Sequence, residues 1–167
     1  MKIFYAQDPY DRDAHVASVF LAGPTPRSKD VPSWRPEAVE LYKKHEFDGH
    51  LYIPERDDWE ALEGYGNQIE WEHYHLDICC AILMWVPREL KLMPSLTTNV
   101  EFGLYLRSKW KVRSRSGYRL FYGRPDDAPK NGYLNYCYRK FTQREPCNTL
   151  EGLVEETMEY MKRLSDI

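Results

Sequence analysis

Glu101 lies in the stretch TTNVEFG, where polar residues give way to the apolar run of a helix. Two uses fit a carboxylate there. Thr98 and Glu101 have the spacing of a capping box, in which each side chain bonds to the other's backbone N–H. The other use is chemical: a carboxylate in the first turn of a helix, at the mouth of a parallel sheet, is placed to act on a bound substrate. A second acidic group falls in QIEWEHYHLD, which carries Glu70, Glu72 and Asp77 with His73 and His75. Glu72 follows Trp71 and can point toward the sheet's carboxyl end. His73 with Asp77, and His75 with Cys79, stand one helical turn apart, which is compatible with a metal. A solvated acidic face explains the same residues without one, and no other cluster matches, so no metal is expected. The loop Gly23-Pro24-Thr25-Pro26-Arg27 offers a close-approach glycine, a hydroxyl and a guanidinium. It lacks both the G-x-x-x-x-G-K-[ST] and the G-x-G-x-x-G phosphate-binding patterns.

The elements that must position these groups alternate as in βαβ units, which predicts an α/β fold around a parallel sheet. Lys2–Ala6 and Ala17–Ala22 read as strands, followed by a helix over about Ser33–Lys44 with Pro36 in its first turn. Leu51–Ile53 is the next strand, Asn67–Ile78 a helix and Ala81–Val86 a buried strand. TTNVEFGLYLRSKW is a third helix with Val100, Leu104 and Trp110 turned inward. Tyr118–Tyr122 is another strand. A last helix from Leu150 carries Leu153, Val154, Met158, Met161 and Leu164 on one stripe. No repeat or linker divides the chain, so residues 1–167 are expected to form one domain. In such sheets ligands bind beyond the carboxyl ends of the strands, where the GPTPR, PERDDW and PRELKLMPSLTTN loops fall.

The formal net charge of −3 offers no basic face for a nucleic acid. The basic stretch RSKWKVRSRSGYR, Arg107 to Arg119, reads as a solvated loop after a helix, with anion contact as the alternative. Cys79, Cys80, Cys137 and Cys147 show no C-x-x-C spacing and read as reduced thiols. There is no basic-then-apolar leader, and the longest apolar run, Ile78 to Pro87, is too short to span a bilayer. The expectation is a cytoplasmic protein without a membrane partner.

VFLAGPTPR, SWRPEAVEL, the QIEWE helix, AILMWVPR and TTNVEFG, in this order and spacing, resemble the nucleoside 2-deoxyribosyltransferase-like family. That family is related to deoxynucleoside 5'-monophosphate N-glycosidases and, more distantly, to TIR-type NAD-cleaving domains. The resemblance covers roughly Val19 to Tyr133. It implies a flavodoxin-like (Rossmann-like) three-layer sandwich with a mainly parallel central sheet. It also implies cleavage of the bond between a nucleobase and C1' of deoxyribose through a covalent glycosyl-Glu intermediate, with transfer to another base or to water. By resemblance the nucleophile is Glu101, and the residue that binds and protonates the base is Glu72. Gly23, Thr25 and Arg27 line the sugar or phosphate side. From the residues themselves, the hydroxyls of Thr97 and Thr98 and the amide of Asn99 can fix the orientation of Glu101, and Glu72 can lie against Trp71. Trp71, Thr98 and Asn99 are expected to bind substrate. No cofactor is implied; a homo-oligomer is.

Trp59, Trp71, Trp85, Tyr5 and Tyr65 are candidates to stack on a base, with core packing the simpler role for Trp85. Arg27 and Arg88 are candidates for a 5'-phosphate. Gly132 to Phe141, GYLNYCYRKF, reads as a contact surface or as an edge strand on its own domain. One departure is that Cys79-Cys80 stands where relatives read A-D before the central strand. Two rival functions follow the same residues. One is an N-glycosidase for NAD or a cyclic ADP-ribose-type nucleotide, and the other is a catalytically silent nucleotide-binding protein.

Overall fold

The computed structural model describes residues 1–9, 17–28, 30–56, 64–112 and 115–165. In chain order they form β1 (Lys2–Tyr5), β2 (Ser18–Ala22), α1 (Arg35–Lys44), β3 (His50–Ile53), α2 (Tyr65–Ile78), β4 (Ala81–Trp85) and α3 (Leu96–Tyr105). Then follow β5 (Lys109–Val112), β6 (Arg115–Tyr118), β7 (Leu120–Gly123), α4 (Gly132–Thr142) and α5 (Leu150–Ser165). Five strands make one sheet in the order β1-β3-β2-β4-β7, and every pairing in it is parallel.

A parallel sheet is covered on both faces, so its central strands must be apolar throughout. SVFLA and AILMW meet that demand and are buried along their whole length. Alternate residues feed two cores. Val19, Leu21, Leu83 and Trp85 join Trp34, Ala38 and Tyr42 of the α1 side and Leu153, Val154 and Met158 of α5. Phe20, Ala22, Ile82 and Met84 join Trp71 and Leu76 of α2, Phe102 and Tyr105 of α3, and Leu134 and Tyr138 of α4. The result is a three-layer α/β sandwich. On the first face the Tyr42 hydroxyl meets Thr157 Oγ1 at 2.5 Å and ties α1 to α5.

The chain steps outward from β2 to β3 through α1, then returns through α2 on the opposite face to place β4 on the other flank of β2. Neighbouring loops therefore leave the carboxyl ends of β2 and β4 in opposite directions and open a crevice between them. No described helix is long and apolar enough to cross a membrane.

Several local expectations are corrected. Helix α3 starts at Leu96, after Ser95 in a left-handed conformation (φ 60°), and has neither a side-chain cap nor an acidic residue in its first turn. Glu101 is therefore not part of a capping box. The helix buries Thr98, Phe102 and Tyr105, which leaves Val100 and Leu104 about 60 % exposed (63 % and 60 %) rather than inward. Two large aromatics three residues apart outweigh the aliphatic spacing as the anchor of the face. The basic stretch is no loop: β5 and β6 pair as an antiparallel hairpin that ends the helix at Tyr105. Tyr118 belongs to that hairpin, and the sheet strand begins at Leu120. GYLNYCYRKF is helix α4, with Leu134 and Tyr138 one turn apart on its buried face.

Candidate active site

A cavity of ≈ 1140 Å³ occupies the crevice, with walls from the loop after β2, the residues after β3, α2, and the start of α3. Gly23, Thr25 and Arg27 line it, as do Glu72 of α2 and Glu101 of α3. Five of the eight residues picked out in the sequence are thus brought to one space from three separate segments.

The first wall is fixed by a constraint on the backbone. Gly23 has φ 146°, and a Cβ there would overlap the Trp85 carbonyl oxygen of the neighbouring strand. Only glycine lets the loop pass this close. Beyond it the loop is gathered by Arg35, which is 1 % exposed at the start of α1. Its Nε donates to the Leu21 carbonyl (3.1 Å) and Nη2 to the Gly23 carbonyl (2.7 Å). Its Nη1 donates to Thr25 Oγ1 (3.2 Å) and to Glu55 Oε2 (2.6 Å). One planar guanidinium thus ties the loop after β2 to the second residue past β3. Its face lies 4.8 Å from the Trp34 ring, whose Nε1 donates to the Pro24 carbonyl at 3.2 Å. Burial lowers the Arg35 pKa, and the Glu55 carboxylate opposes that shift.

The two carboxylates face each other from different helices. Burial pushes Glu101 up to about 7, the Glu72 charge pushes it the same way, and Arg35 acts against both. Glu72 is also raised by burial, opposed by a hydrogen bond from Gln68 Nε2 (2.9 Å) and by Arg35. Because Glu101 sits past the first turn of α3, the helix terminus does little to hold it ionised. Both acids are therefore held above the ordinary glutamate value, chiefly by burial.

Three expected contacts fall elsewhere. Trp71 does not line the cavity. It lies on the inward face of α2, stacked on His75 (ring centroids 4.0 Å apart) with its indole N–H donating to the Asp8 carbonyl at 3.1 Å. Thr98 is buried on the sheet side of α3, and Asn99 Oδ1 accepts from Arg88 Nη2 at 2.5 Å, on the flank away from Glu101. Arg88 is not in the lining either, since it is enclosed behind α3. Trp59 lies outside the described residues, as does the side chain of Tyr65; Tyr5 is exposed and Trp85 is core. Among the described residues no three His, Cys, Asp or Glu side chains converge as a metal site requires. His75 Nδ1 is 2.7 Å from the Trp71 carbonyl oxygen, and Cys79 Sγ contacts the Leu76 carbonyl.

Residues 16–114 match the family described as nucleoside 2-deoxyribosyltransferase like. The chain belongs to that family. No curated protein matches it. The matched segment contains every described residue of the cavity wall, from Gly23 to Leu104. Such enzymes are of the transferase or glycosidase type and bind nucleosides, and the crevice is where an α/β sheet offers room for one. The Cys79-Cys80 pair of this nucleoside 2-deoxyribosyltransferase-like chain lies at the amino end of β4, the end away from the cavity. There the Cys79 carbonyl accepts from Arg119 Nη1 (2.8 Å).

Sequence reading missed Arg35, Glu55 and Gln68. A signal for Arg35 was present: a cation in the first turn of a helix is opposed by the helix dipole and needs partners of its own. Glu55 stands in PERDDW, one of the three loops read as ligand-binding.

Proposed function

We propose that the cavity takes a 2'-deoxynucleoside or its 5'-monophosphate and that Glu101 displaces the nucleobase from C1'. The observation that carries this reading is the pairing of Glu101 and Glu72 across one cavity, each raised by burial and both opposed by Arg35. In the first step the C1'–N bond breaks as a bond forms between C1' and a Glu101 oxygen. The bonding pair leaves with the base, whose ring nitrogen takes the proton from Glu72. In the second step water, or the ring nitrogen of another base, attacks C1' and releases Glu101, and Glu72 takes up the proton of the attacking group. Burial raises the pKa of Glu72, which favours its holding that proton.

The reactive form needs Glu101 ionised and Glu72 protonated. Activity should therefore follow a bell-shaped dependence on pH, with one limb from each carboxylate. Glu72→Gln removes the like charge that helps raise Glu101, so the midpoint of Glu101 in the ligand-free protein should move to lower pH. The same change should slow base release by roughly 10²–10⁴-fold. A Glu101 midpoint that stays in place in this variant would show that the two carboxylates do not share a site.

The direct test incubates the protein with deoxynucleosides, their 5'-monophosphates and NAD, each with and without an acceptor base, and follows released base and new nucleoside by chromatography. Base release from a deoxyribose substrate, with a deoxyribosyl adduct on intact protein by mass spectrometry, is the expected result. Release from NAD alone would assign the site to a different N-glycosidic bond. Turnover unchanged in Glu101→Ala would remove the nucleophile.

We also propose a homo-oligomer in the cytoplasm. Leu96, Val100 and Leu104, 65 %, 63 % and 60 % exposed, form an aliphatic stripe at i, i+4 and i+8 along the lip of the cavity. A second copy covering it would remove that surface from water. Sedimentation velocity should report a dimer or larger species at micromolar concentration, and a monomer throughout would overturn this.

A further inference from the structure

Arg88 stands just past the carboxyl end of β4, behind α3, and is 8 % exposed. Its Nη2 donates to Asn99 Oδ1 at 2.5 Å, and its Nη1 donates to the Lys130 carbonyl at 3.0 Å. One guanidinium therefore bridges the second turn of α3 to the segment between β7 and α4. Its Nε is buried without a hydrogen-bond partner, as is the side-chain oxygen of Asn131, the residue after Lys130. Leaving such groups unpaired costs stability, so stability alone is a poor account of this arginine.

The ends of the bridge are places where the backbone is under constraint. Lys130 adopts φ 58° and Ser95, the residue before α3, adopts φ 60°, a region that side chains other than glycine enter at a cost. Helix α3 has no side-chain cap to fix how it begins. Its sheet face is held by Phe102, which meets the Tyr122 ring edge-on at 5.2 Å. What that packing leaves loose is rotation about the helix axis. Residues two apart on a helix project about 200° apart, so Asn99 and Glu101 occupy opposite flanks of α3. A bond that holds Asn99 on one flank sets where Glu101 points on the other.

We propose that Arg88 is a positioning residue for Glu101: by clamping Asn99 to the Lys130 carbonyl it sets the roll of α3 and so aims the carboxylate into the cavity. Arg88 does not line the cavity and is not among the charges that act on Glu101. Among the described residues, the charged and titratable side chains that line the cavity with Glu101 are Glu72 and His73 of α2, Arg35 of α1, Glu55 and Arg56 after β3, and Arg27 after β2. Arg88 therefore works through geometry, and its forked guanidinium is the part that matters. This role in turnover rests on the function proposed above; the roll of the helix does not.

The test compares Arg88→Met, Arg88→Lys and Asn99→Ala with the unmodified chain. Asn99→Ala is the milder change, since alanine suits a helix and the buried arginine is kept. The first readout is the titration of Glu101 in the ligand-free protein, followed by carboxyl-carbon NMR, and it needs no substrate. With the clamp gone, Glu101 should turn toward solvent and its midpoint should fall from about 7 toward the ordinary glutamate value. Arg88→Lys should restore little, because a single ammonium cannot span both acceptors. The second readout is turnover of whichever deoxynucleoside is cleaved. There kcat should drop roughly 10–10²-fold with KM nearly unchanged, and the Arg88→Met/Asn99→Ala double variant should be no worse than either single one. Loss of thermal stability with an unmoved Glu101 midpoint would overturn the proposal. Should no deoxynucleoside be cleaved by the unmodified chain, the NMR midpoint still decides the clamp, so the two ideas fail separately.

Discussion

Glu101→Gln is expected to abolish base release, by ~10⁴-fold or more, and at the same time to make the folded protein more stable above neutral pH. The first effect follows from the loss of the attacking oxygen anion. The second follows from linkage. Burial and the Glu72 charge raise Glu101 to about 7, so the folded state holds that proton more tightly than the unfolded chain does. The stability this confers is complete below the ordinary glutamate pKa and is lost as pH rises through the folded value. Glutamine cannot ionise, so the variant escapes the loss. Its advantage should be absent below about pH 4.5 and grow to about 2–3 kcal/mol by about pH 8. Urea denaturation at a series of pH values measures it. A gain that is flat across pH would mean that Glu101 is not held in the buried, like-charged setting described above.

Arg35→Met should cost the fold about 3–5 kcal/mol, because it leaves Glu55 as a charge without its partner and strips the Leu21 and Gly23 carbonyls of their donor. Arg35→Lys should recover less than half of that. It keeps the charge but not the fork that reaches Thr25, Glu55 and two carbonyls together. Adding Glu55→Gln to Arg35→Met should return part of the loss, since the orphaned carboxylate is then gone. Where enough protein stays folded to assay, the acid limb of activity should move to higher pH. Arg35 lowers the pKa of Glu101, and its removal lets that pKa rise further. Thermal and chemical denaturation with a pH–rate profile test both parts, and an acid limb shifted to lower pH would contradict the assignment.

The sheet and the order of its helices were legible in the sequence because buried parallel strands must be continuous apolar runs, and SVFLA and AILMW are. The carboxylates were legible because a charge beside such a run invites a reason. The facing of α3 was not. Val100 and Leu104 have ideal helical spacing for a core stripe, yet Phe102 and Tyr105 take that place because larger rings bury more. Arg35 was hidden for another reason: four of its acceptors are main-chain carbonyls and a hydroxyl of the loop after β2, and backbone acceptors have no residue type to recognise. The hairpin β5–β6 was masked by its own charge, which pattern reading assigns to solvent. Helix α4 was obscured by tyrosines, which suit strands and helices alike.

Every described residue that lines the cavity lies between positions 23 and 104, and the family match stops at 114. The fold does not stop there. Strand β7 supplies the partner that β4 needs on its outer edge, and α5 covers the face that carries Leu83 and Trp85. A fragment ending at the matched boundary would keep the whole reacting surface and yet expose an unpaired strand and half of one core to water. Chemistry and foldability are thus written in different parts of this chain. The last third serves the site from a distance, through shape, apolar cover and the Lys130 carbonyl that Arg88 grips.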